Sequence, residues 1–124
     1  MRDEKFLQKY DFFLLDEQQR ALVEHAIKDV CSHRAYDLFA VNARSNHVHS
    51  VVKAQAAPEK VAESFKSYST RALRNAKLID SESKVWSRHA STKYLWKDRS
   101  VTIAVEYVLY GQGDEFPNFE ELVG

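Results

Sequence analysis

Residues 35–54, AYDLFAVNARSNHVHSVVKA, decide the fold. Leu38 to Val41 is apolar and β-prone, Arg44-Ser45-Asn46 is polar and turn-like, and His47 to Lys53 is β-prone again and alternates. Asn46 tolerates the left-handed backbone that tight turns use. The pattern predicts a hairpin with strands near 36–43 and 47–53.

Upstream, residues 16–34 (DEQQRALVEHAIKDVCSHR) place Leu22, Val23, Ala26, Ile27 and Val30 at helical spacing. Asp16 is the expected cap, with Gln19 three residues on. Downstream, AAPEK leads into a helix near 58–76, with Pro58 at an early position where its missing N–H costs nothing. Val61, Phe65, Tyr68 and Leu73 line one side of that helix, and Lys66, Arg71, Arg74 and Lys77 crowd the others. Residues 85–96, VWSRHASTKYLW, read as strand pieces around a turn, with Trp86, Tyr94 and Trp96 in the core. A last helix is expected near 100–110, capped by Ser100 and ended by Gly111.

That order predicts an α+β fold, a ferredoxin-like antiparallel sheet with helices packed on one face. Only MRDEKFLQKYDFFLL precedes the first helix, so the first strand is expected to be short or missing. With 124 residues, three Gly, two Pro and no repeat, residues 1–124 read as a single domain. No apolar run approaches the ~18–20 residues of a membrane span, so no membrane partner is expected. An N-terminus charged from its second residue and one cysteine point to the cytoplasm.

The 18 basic and 18 acidic side chains cancel, which argues at first against nucleic acid. They are segregated, however. Residues 1–40 hold six basic and eight acidic side chains, residues 41–99 hold twelve and five, and residues 100–124 hold five acids and no Lys or Arg. Segregation on this scale creates a local field that a sum conceals. It fits either solvated helix faces or a phosphate-binding surface.

His47 and His49 are two apart on a predicted strand, so their side chains share a face. Two imidazoles are too few for a structural zinc site, which takes four ligands. They suit a catalytic ion that keeps positions open for substrate oxygens. The plain alternative is a pair of strand histidines with no ligand. His25, His33 and His89 read as surface or packing residues, although His89 could touch phosphate, and Cys31 reads as a small core residue.

Taken together, RSNHVHSVV, TRALR, VWSRHASTKYLW and YVLYGQG resemble, in order and spacing, the single-tyrosine transposases of the HUH nuclease superfamily. The closer branch is the REP-associated tyrosine transposase-like proteins, and the resemblance covers about residues 16–113. It implies a metal-dependent enzyme that nicks and rejoins single-stranded DNA, in the form of a hairpin-bearing strand, through a 5′-phosphotyrosine. Tyr107 would be the nucleophile, with Tyr110 as its rival. His47, His49 and Gln112 would hold Mg2+ or Mn2+, with Glu106 or Asp114 as substitutes for Gln112. Arg44, Lys66, Arg71, Arg74, Lys77, Arg88 and Lys93 would contact DNA. A homodimer is a further expectation, because relatives include both dimers and monomers. The competing reading is a non-catalytic nucleic-acid-binding module on the same fold.

Overall fold

The hairpin is present as β2 (Asp37–Ala43) and β3 (His47–Ala54), closed by the Arg44 N–H donating to the His47 carbonyl at 2.8 Å. The structure, a computed structural model, describes residues 4–12, 14–80 and 84–111, and at 88 and 89 the backbone only. The remaining elements are β1 (Glu4–Phe12), α1 (Glu17–Arg34), α2 (Pro58–Asn75), β4 (Trp86–Tyr94) and α3 (Asp98–Tyr110). The four described strands form an antiparallel sheet in the order β2-β3-β1-β4. The α+β class and the antiparallel sheet are as expected.

The sheet and its covering differ from the expectation in three particulars. The first strand is neither short nor missing. β1 runs for nine residues and pairs with β3 on one side and β4 on the other. Its sequence, EKFLQKYDF, conceals this because both faces of a central strand are covered. Phe6, Tyr10 and Phe12 enter one core and Leu7 enters the other, so no simple polar/apolar alternation is left to read. Residues 86–94 form one strand rather than pieces around a turn. The register shift between Tyr10 and Phe12 lets the strand run the length of β1, and its polar residues suit an edge.

The helices are also not all on one face. α1 and α2 pack with Phe6, Tyr10, Val48 and Val52 on the first face. α3 lies across the second, where Ala104 and Val108 meet Leu7, Ala40 and Val51. A four-stranded sheet with apolar residues on both sides must be covered on both sides, and α3 supplies the second layer.

The caps follow local chemistry. The Gln19 N–H donates to Asp16 Oδ1 and the Asp16 N–H donates to Gln19 Oε1, both at 2.8 Å, which completes a capping box on α1. α3 begins two residues earlier than expected, after Lys97, with no side-chain cap, and Ser100 is buried inside its first turn. Cys31 is in the core, and burial pushes its thiol up to about 12. Trp86 is half-buried and donates its indole N–H to Thr70 Oγ1 at 2.9 Å. Trp96, expected in the core, is 70% exposed and stacks on Tyr94, which is also exposed. Tyr94 is the last residue of the edge strand β4, opposite Phe6, and Trp96 lies just beyond it.

Candidate active site

The second face of the sheet assembles the candidate site. In β3, Val48 and Val52 point toward α1 and α2, so His47, His49 and Val51, on the other face of the strand, point toward α3. Both histidines are buried and their ring centroids are 4.7 Å apart. The Asn46 side-chain oxygen lies 2.8 Å from His47 Nδ1. A carbonyl accepts from an N–H, so this contact puts the proton on Nδ1 and the lone pair on Nε2.

α3 brings Tyr107 to the pair. Its hydroxyl is 3.4 Å from His49 Nε2, and the two rings meet edge-on with centroids 5.1 Å apart. Tyr110, the rival, is 79% exposed and lies one turn past this contact, on the last turn of α3. The C-terminal end of α3 is tied to β2 and its turn. Asn42 Nδ2 donates to the Val108 carbonyl at 3.0 Å, and the Arg44 guanidinium donates to the Gly111 carbonyl. Gly111 ends the helix as expected, its N–H donating to the Tyr107 carbonyl at 2.8 Å. Its backbone is extended, so the requirement for glycine is steric. A Cβ there would stand 2.5 Å from the Tyr107 carbonyl oxygen and 2.8 Å from its ring.

The donor set suits a divalent metal. Two buried imidazoles lie side by side on one strand, with a tyrosine hydroxyl beside His49, and imidazole nitrogen is a common ligand for such ions. Among the described residues no third His, Cys, Asp or Glu joins them, so Glu106 is not part of the group. Gln112 and Asp114 lie outside the described residues.

Residues 6–108 match the family model of IS200-like transposases. The chain belongs to this family. Two solved structures share the fold of this IS200-like transposase. One is a candidate transposase from Deinococcus radiodurans r1, with 11% identity, 92% of this chain and 95% of that chain covered, and a TM-score of 0.64. The other is a REP-associated tyrosine transposase bound to a REP hairpin, with 13% identity, 85% of this chain and 64% of that chain covered, and a TM-score of 0.65. No curated protein sequence matches the chain. No helix among the described residues is long and apolar enough to cross a membrane.

The basic residues of the transposase divide between the two sides of the sheet. Lys66, Arg71 and Arg74 line a shallow cavity of about 450 Å3 on α2, with Ser67, Thr70 and Asn75. Lys77 follows that helix in a left-handed conformation, with φ 60°. α2 covers the face opposite the histidines, so these cations lie behind the site and not between His47 and Tyr107. Lys66 is partly withdrawn from solvent. Its ammonium donates to the Ser87 carbonyl at 3.4 Å, and burial lowers its pKa against the pull of Asp11 and Glu63. Lys93 stands opposite Leu7 in β4, so it is on the histidine face. Arg44 is engaged with the end of α3, and the Arg88 side chain lies outside the described residues. The charge profile located the basic segment of the chain but could not say that a sheet would divide it.

The sequence reading missed Lys9 and Asp11. Their cross-strand partners in β3 are His49 and His47. The available signal was only the two-residue spacing of Lys5, Leu7, Lys9 and Asp11, which puts them on one face of any strand drawn there, and it was obscured because the strand was expected to be short or missing.

Proposed function

We propose that this IS200-like transposase nicks and rejoins single-stranded DNA through a covalent 5′-phosphotyrosine on Tyr107, with His47 and His49 holding Mg2+ or Mn2+. The observation that carries this reading is the approach of the Tyr107 hydroxyl to His49 Nε2 at 3.4 Å, with His47 alongside, all from one chain. A bound divalent ion would polarise the scissile phosphate and offset the charge that develops on it. Tyr107 Oη attacks phosphorus, the bond from phosphorus to O3′ breaks, and the tyrosine proton passes to solvent. O3′ departs as a hydroxyl after taking up a proton. Attack by a 3′-hydroxyl on the phosphotyrosine reverses these steps and rejoins the strand without a nucleotide cofactor. Asn46 keeps the lone pair of His47 on Nε2, and Asn42 and Arg44 hold the end of α3 so that Tyr107 stays against the sheet.

A hairpin-bearing strand is the proposed substrate. The support is the family together with the REP hairpin in the REP-associated tyrosine transposase structure. The basic face of α2 offers phosphate contacts, which supply affinity and salt dependence rather than sequence choice.

The test is incubation of the purified protein with a labelled hairpin oligonucleotide and Mg2+ or Mn2+, followed by denaturing electrophoresis. The expected product is a protein–DNA adduct on the 5′ side that disappears with a chelator. Tyr107→Phe and His47→Ala should abolish it, while Tyr110→Phe should retain it. An adduct that survives Tyr107→Phe overturns the nucleophile. Salt-sensitive binding that is indifferent to metal and never covalent would instead establish the non-catalytic module.

A further inference from the structure

β1 lines the same face as the candidate site, and one of its residues bears a charge suited to the substrate. Lys9 pairs in register with His49 across β1 and β3, and directly opposed residues of an antiparallel pair point to the same side. Leu7, two residues earlier, packs beneath α3, and Lys5, two residues earlier again, reaches Asp98 at the start of α3. The alternation therefore aims Lys9 at the side that holds His47, His49 and Tyr107. Its side chain is only 19% exposed, and its ammonium lies 3.9 Å from Asp11 Oδ1. Asp11 is itself opposite His47.

An ammonium withdrawn from water needs anionic partners, and Asp11 supplies one. A scissile phosphodiester, which carries one negative charge, would bring Lys9 a second anionic partner on the histidine side of the sheet. We infer that Lys9 binds a non-bridging oxygen of the scissile phosphate, with Asp11 holding the ammonium in place and Lys93 one diagonal step away on β4. This rests on the function proposed above. It adds a substrate-contacting cation on the central strand, remote in sequence from the basic segment 41–99.

The test uses the full chain and two measurements. In the first, adduct formation is timed for the wild type, Lys9→Met and Lys9→Arg. A charge-assisted hydrogen bond lost from the reacting phosphate should slow Lys9→Met by roughly 10–100-fold. Lys9→Arg, which keeps the charge, should recover most of the loss. In the second, affinity is measured in a Tyr107→Phe background for DNA with a normal phosphate or a neutral methylphosphonate at the scissile position. Lys9→Met should weaken binding of the normal strand and cost nothing further on the methylphosphonate strand. A Lys9→Met protein that forms adducts at the wild-type rate, or whose binding deficit is the same on both strands, overturns the inference. Absence of adducts from the wild type would overturn the proposed function instead. A thermal melt of each variant separates loss of fold from loss of contact.

Discussion

Gly111 shows how closely a single residue can constrain the site. A methyl group at this position would meet the carbonyl and ring of Tyr107 at distances that real Cβ atoms do not occupy. Gly111→Ala should therefore push the Tyr107 ring from His49 and reduce adduct formation by at least tenfold, while the melting temperature moves little; single-turnover cleavage alongside a thermal melt checks both. Cys31 makes the opposite point, a reactive residue type made inert by its surroundings. Burial raises its thiol to about 12, so it stays protonated in the folded chain while an unfolded thiol ionises near pH 8.5–9. Above that range the unfolded state binds fewer protons than the native one, so stability falls as pH rises from about 9 toward 12. Denaturant unfolding of the wild type and Cys31→Ala across that window should show the steeper loss in the wild type. Iodoacetamide at pH 8 should label the thiol only after unfolding.

At the scale of elements, helix ends were legible where they depend on neighbours in sequence and obscure where they do not. The Asp16–Gln19 box is local, and it forms as the spacing predicts. Asp16→Ala should cost about 1 kcal/mol in chemical denaturation. α1 then closes on Ala35 in the left-handed region, with φ 58°, a conformation that penalises a Cβ. Ala35→Gly should stabilise the protein by about 0.5–1 kcal/mol in the same measurement. The start of α3 was misread at Ser100 because its true first turn, after Lys97, has no side-chain cap to advertise it. β1 was misread because burial on both faces removes the alternation that identifies a half-buried strand.

At the scale of the whole molecule, the sheet separates the candidate site from the basic face of α2. Arg71 and Arg74 lie on α2, and Tyr107 lies across the sheet from them. If α2 carries the phosphate contacts of bound DNA, Arg71→Gln with Arg74→Gln should weaken binding and flatten the salt slope by about one unit per charge removed. Adduct formation at saturating DNA should keep its rate, since neither residue reaches the histidines. Affinity as a function of salt, read beside single-turnover cleavage, tests both parts.

The sequence alone determined what depends on spacing along the chain. His47 and His49 share a face because strand side chains repeat every two residues, and α1 and α2 carry apolar stripes because helical ones repeat every 3.6. Tertiary structure decided what depends on which strand lies beside which. The sheet order put β1 in the centre, Lys9 opposite His49, α3 over the histidines and α2 behind them. Tyr107 meets His49 across 58 residues of chain. No periodicity encodes that distance, because it is set by the burial of both faces of one sheet.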